Sequence, residues 1–227
     1  MSLPHLKDAD KVDYVVNALI PMLQNDLRNV AEIGCNVHGF GSGPNFTLAM
    51  LSMIACETIG VLSAPPGTST PLATRAFISR VGLLAGDQRY ERLAVLLVAF
   101  FRNGIGHSFL PKQSAGLQGQ TLWNFKCVDY MLDPRNEAEF QALRSLHLTI
   151  QQSPPNERRF KVVTKLLALD VSRAIGAFAT DLHQGDPAIV GAFSAAFDKW
   201  SADNRDVRRS QLTALEQQLL DTPIELF

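Results

Sequence analysis

From Leu93 to Phe101 the chain carries no polar or charged side chain, and the run stops at Arg102-Asn103-Gly104-Ile105-Gly106-His107-Ser108. An apolar stretch of this length must be buried, and it is longer than most buried strands, so it predicts a helix enclosed on most of its circumference. Such a helix delivers a guanidinium, an amide and an imidazole together at its carboxyl end. Arg102 and His107 are five positions apart, which on a straight helix sets them about 140° apart. They can face one cavity only where the helix loosens, and Gly104 and Gly106 permit that.

The chemistry of this set is narrow. Arginine is permanently charged and its planar fork suits phosphate oxygens, while histidine exchanges a proton near neutral pH. Asn103 precedes His107 by four residues, so on a helical backbone it shares that side and can orient the ring or a ligand. Such groups can cut RNA without a metal, histidine serving the 2′-hydroxyl as base or acid and arginine holding the charge that builds on phosphorus. They can equally grip a phosphate without reaction, or act as a helix-terminal cation and a satisfied core histidine.

Arg102-Asn103-Gly104-Ile105-Gly106-His107, behind its apolar helix and closed by Phe109-Leu110-Pro111-Lys112, resembles the arginine–polar–spacer–histidine signature of HEPN domains (higher eukaryote and prokaryote nucleotide-binding). An upstream apolar helix carrying Cys56-Glu57-Thr58-Ile59-Gly60 adds a general similarity. The resemblance spans roughly residues 10 to 185, with most of its specificity in the motif. It implies an α-helical, usually dimeric protein, often a metal-independent endoribonuclease whose composite site takes arginine and histidine from both chains. Other members bind nucleotide or RNA, or are inert partners. The expected catalytic residues are accordingly Arg102, His107 and Asn103, with RNA or a nucleotide as ligand, a homodimer as the assembly and no cofactor. A non-catalytic nucleotide- or RNA-binding or dimerisation module, within a toxin–antitoxin or stress system, is the alternative.

The 227 residues, 46% hydrophobic, suffice for a sizeable core. A formal net charge of −1 supplies no global field for nucleic acid, so any RNA contact must come from a local patch or pocket. Three cysteines, Cys35, Cys56 and Cys127, are scattered and odd in number, which argues against a disulfide framework and for a reducing cytoplasm. The five histidines lie far apart and none neighbours a cysteine at ligand spacing, so no zinc site is expected. Met1 to Asp8 lacks a signal pattern, and the longest apolar run, Phe46 to Leu62, is interrupted by Glu57. It reads as a buried helix, not a membrane span.

In chain order, Asp8 or Asp10 caps a helix to about Ala31, with Val12, Val15, Val16, Leu19, Leu23 and Leu27 as its stripe; Pro21 should kink or break it. Gly39 to Asn45 is a turn that offers anion-binding amides but lacks the context of a nucleotide loop. The helix from Asn45 to Leu62 is apolar nearly all round and belongs at the centre of a bundle. Glu57, a carboxylate within it, needs a partner. It is either paired within the core or set beside Arg102 to support the guanidinium. Thr70-Pro71 opens a third helix to about Ala85; Tyr90, in the next, either packs or stacks a base.

Beyond Lys112, Thr121 to Tyr130, Ser145 to Gln151 and Arg159 to Thr164 read as strands, with a short helix from Glu137 to Leu143. Pro154-Pro155-Asn156 suits a hairpin turn, and Arg158, Arg159 and Lys161 make it basic. Helices follow at Asp170 to His183, after Asp186-Pro187, and at Asp203 to Leu220. The predicted fold is mainly α: a HEPN-like bundle of four or more helices, residues 1–185, with a small antiparallel sheet or hairpin inserted at about 120–165. A helical extension at 186–227 packs on this core.

Overall fold

The structure, a computed structural model, describes residues 6–33, 45–102, 113–118, 121–130, 136–153 and 157–205; at 33, 45–46, 100–102, 113–118, 121–130, 153 and 203–205 it describes backbone alone. The predicted Gly39–Asn45 connector, the Pro154–Asn156 turn and nearly all of the Asp203–Leu220 helix lie outside those residues. The chain is mainly helical with an inserted sheet, as predicted. Helices α1 (Asp8–Tyr14), α2 (Ile20–Ile33), α3 (Asn45–Ser63), α4 (Thr70–Ala85) and α5 (Arg89–Leu96) precede strands β1 (Gln113–Gln118) and β2 (Thr121–Tyr130). Helix α6 (Glu137–Leu146), strands β3 (Thr149–Ser153) and β4 (Glu157–Val163), and helices α7 (Thr164–Gln184) and α8 (Pro187–Arg205) complete the order.

Pro21 does not break its helix. The segment Val15–Leu19 between α1 and α2 is π-helical, and the Ile20 amide reaches back to the Val15 carbonyl. A proline has no amide to donate and its ring crowds the preceding turn. One widened turn relieves that crowding while the chain stays helical from Asp8 to Ile33.

Helix α3 packs against α2, α4, α7 and α8, the central place its composition predicts. One face, with Leu48, Met53, Cys56, Ile59 and Leu62, is sealed in the core. Ile54 is 46% exposed and Glu57 half-buried, so α3 is not enclosed all round. Phe77 and Val81 of α4, Val171, Ile175 and Phe178 of α7, and Phe193 and Phe197 of α8 complete one continuous cluster. The Lys11 ammonium, nearly sealed, donates to Ser194 Oγ and Asp198 Oδ2, each at 2.8 Å, fastening α1 to α8. A buried ammonium is tolerated because its hydrogen bonds and counter-charges replace water.

The sheet has the order β1-β2-β4-β3. β3–β4 form the predicted antiparallel hairpin; β1, which was not predicted, pairs antiparallel with β2, and the two central strands, β2 and β4, run parallel. Parallel neighbours require a crossover, which α6 and β3 supply between them. Among the described strands the two at the edges, Gln-Ser-Ala-Gly-Leu-Gln and Thr-Ile-Gln-Gln-Ser, are rich in polar residues. β1 has no strand character of its own and is made a strand by pairing with β2. Phe160 and Val162 of β4 enter the main helical core, while Val163 packs with Leu143 and Leu166 in a second, smaller cluster.

Candidate functional site

The motif helix is set by a tight turn. Gly86, at φ +65°, ends α4 in the left-handed conformation that only glycine adopts freely. Gly82 has no room for a side chain: a Cβ there would lie 2.6 Å from the Tyr90 Cβ and 2.8 Å from the Asp87 carbonyl oxygen. Close approach of α4 to α5 therefore fixes where Tyr90 enters the core. Asp87 Oδ1 accepts from the Arg89 amide at 3.0 Å, supplying an acceptor for the start of α5.

Along α5, Tyr90, Ala94, Leu97 and Val98 are buried, whereas Glu91, Arg92 and Val95 are exposed. Within the apolar run Val95 alone is exposed among the described side chains, and Leu93, Leu96 and Ala99 are half-buried. From Leu97 to Arg102 the helix becomes π-helical. Gly104 and Gly106, where the loosening was expected, lie outside the described residues. One extra residue in a helical turn rotates the downstream residues by roughly 100° relative to a straight helix. Arg102 is the last residue of this turn, known by its backbone alone; Asn103 and His107 lie outside the described residues. Helix α3, which carries Glu57, packs against the same π-helical turn. Glu57 itself is half-buried, which corrects the expectation of a carboxylate sealed within the core.

At the other end of α5 lies a buried polar network that sequence reasoning missed. Tyr90, fully buried, places its hydroxyl 2.8 Å from Asp170 Oδ2 and 2.9 Å from His147 Nε2. Arg144 holds the same carboxylate with both terminal nitrogens, Nη2 to Oδ1 at 2.9 Å. The Val163 amide donates to His147 Nδ1 at 3.0 Å. Because Nδ1 accepts and the tyrosine donates to Asp170, His147 must donate from Nε2, as the neutral ring with its hydrogen there. Arg89 adds a neighbouring clamp: Nε and Nη2 on Asp87 at 2.8 and 2.7 Å, with Nη2 also 2.8 Å from the Arg144 carbonyl.

Titration is set by this geometry. Burial first, then the Arg144 charge, pushes His147 down to about 3. Burial and the Asp170 charge push the Tyr90 phenol up. Burial raises the Asp87 carboxyl, but hydrogen bonds from Arg89 outweigh that and hold it below the usual carboxylate range. His147 and Tyr90 have no solvent exposure and Asp170 almost none, so the network is a joint between α5, α6, β4 and α7, not a reaction centre. Tyr90 accordingly packs; it is not placed to stack a base. The thiol of Cys56 is sealed and raised by burial, an inert core group.

One sequence signal could have found part of this network. Asp170 is a lone carboxylate amid Leu166-Leu167-Ala168-Leu169 and Val171, the same pattern that made Glu57 conspicuous. Among the described residues no group of histidine, cysteine and carboxylate side chains could hold a metal, and no helix is long and apolar enough to cross a membrane. Comparison with protein-family models, curated proteins and solved structures finds no match to this chain.

Proposed function

We propose that the protein is a metal-independent endoribonuclease acting through Arg102, Asn103 and His107, with the site completed by a second copy of the chain. The single observation that supports this reading is the change from α- to π-helix at Leu97–Arg102, on an element whose inner face is buried in the core. π-helical turns recur at functional sites, and this one ends at Arg102, directly before Asn103. His107 would take the proton of a 2′-hydroxyl as that oxygen attacks phosphorus, Arg102 would hold the developing charge, and Asn103 would orient the ring or the phosphate. In-line attack gains from a base and an acid together, and one chain supplies one motif histidine, hence the dimer.

A second reading is favoured by the formal net charge of −1. The same residues would then hold a nucleotide or RNA without turnover, since nucleases that track long RNA gain from a positive surface. The test is cleavage of single-stranded RNA in the presence of a chelator, with light scattering under the same conditions. Activity that falls about 10²–10³-fold in Arg102→Ala and His107→Ala, in a dimeric protein, supports the nuclease. Binding without turnover supports the second reading, and an active monomer overturns the composite site.

A further inference from the structure

At the amino end of α5 the turn Ala85–Arg89, helix α6 and helix α7 enclose an open groove of about 540 Å³. That volume is within the range of small-ligand sites, about 300–1,000 Å³. Three guanidiniums line it, those of Arg89, Arg144 and Arg173, against one carboxylate, Asp87. Asp170 lies beneath, sealed from solvent. Counting both acids, the cluster keeps an excess of one positive charge.

The three arginines are held differently. Arg89 is fixed by Asp87 and by the carbonyls of Arg144 and Ser145. Arg144 gives Asp170 one edge of its fork and lies over the Phe140 ring, 5.4 Å from its centroid. Its remaining N–H groups are not used by Asp170. Arg173 is exposed and has no carboxylate partner among the described residues. Two immobilised guanidiniums and one free one, around a space large enough for a ligand, form a preorganised receptor for a planar or tetrahedral oxyanion. Binding there would not first have to order Arg89 and Arg144, which lowers its entropic cost.

We propose that this groove binds a phosphoryl group of a nucleotide or RNA strand, at the end of α5 opposite Arg102. The phosphoryl site stands on the groove itself; its service to an RNA strand rests on the ribonuclease reading. A strand held here and at Arg102 would be gripped at both ends of one rigid element, with the motif end aligned by the phosphate held at the other.

The test uses the full chain carrying His107→Ala, so that nothing is cut, titrated with inorganic phosphate, 5′-AMP and a short single-stranded RNA while amide spectra are recorded. Saturable shifts at Gly86, Gln88 and Arg89 are expected, with affinity about five- to tenfold weaker in Arg173→Gln and largely kept in Arg173→Lys. Gln141→Glu, which sets a carboxylate on the exposed α6 wall, is a second variant expected to weaken binding at least as much. For RNA, Arg173→Gln should also lower the salt slope by about one. RNA binding at least tenfold tighter than AMP assigns the site to a strand; equal affinities assign it to a free phosphoryl group and overturn the strand assignment. No saturable shift, or unchanged affinity in both Arg173→Gln and Gln141→Glu, overturns the site. Because cleavage is not read, failure of the nuclease proposal leaves this result interpretable.

Discussion

At the amino end of α5 the Tyr90 hydroxyl, the Asp170 carboxylate and both His147 nitrogens are matched to partners inside the protein. At its carboxyl end, about 12 Å further along the eight-residue helix, regular α-helical bonding gives way to a π-helical turn ending at Arg102. One end uses its polar groups to join sheet to bundle. The other changes its helical bonding directly before Asn103, where the proposed site begins. Saturated networks rigidify, and altered helical turns gather where function requires an unusual presentation. Substitutions in the buried network at the first end should therefore lower stability, and those at the second should lower activity.

The largest stability effect should come from Asp170→Ala. It leaves the Arg144 charge without its counter-ion and the Tyr90 hydroxyl without its acceptor. Breaking one partner of a buried pair costs about 3–5 kcal/mol. Urea unfolding should register that loss; a change under about 1 kcal/mol would break the view of this end as the structural joint.

Next comes pH. His147 titrates at about 3 in the folded protein, below its ordinary 6.5, so the unfolded chain takes up the proton first. Its contribution to stability is complete above about pH 7 and declines as pH falls from 6.5 towards 3. From this group alone the loss between pH 7.5 and pH 4 is about 3 kcal/mol. Burial sets this first, then the charges of Arg144, Asp87 and Arg89; Asp87, held low by Arg89, adds to the loss only below the ordinary carboxylate range. In His147→Gln the slope between pH 6.5 and 4 should flatten. A slope unchanged in that variant would assign the acid sensitivity elsewhere and remove the buried neutral histidine from the comparison.

How much of this was legible in the sequence depends on the range of each interaction. Pro71 and Gly86 bound α4 to within a residue of expectation, with Ser69 and not Thr70 at the cap, and α3 begins at Asn45, because proline and glycine act within a turn. Helix α7 begins at Thr164, not Asp170, since the Leu166–Leu169 run fits a buried strand or helix equally well. Strand β1 and the parallel pairing of β2 with β4 depend on partners distant in sequence, beyond any local pattern. So does the network: Tyr90 and Asp170 are separated by 80 positions, and nothing near either names the other. At the motif the π-helical turn at Leu97–Arg102 was not readable, because Leu97 to Phe101 is as compatible with α- as with π-geometry.

The smallest stability effect, and the one that tests the comparison most sharply, is Arg102→Lys. On the ribonuclease reading Arg102 serves the phosphate and not the fold, so stability should stay within about 0.5 kcal/mol of the native protein. Lysine keeps the charge but gives up the planar fork that grips two phosphate oxygens at once. Cleavage should therefore fall while RNA binding, dominated by charge, changes little: a loss in kcat at nearly constant KM. A residue that only capped a helix would behave the other way, because an ammonium satisfies terminal carbonyls about as well as a guanidinium. Unchanged kcat in a stably folded Arg102→Lys protein would thus give Arg102 a structural role, and the contrast between the two ends of α5 would collapse.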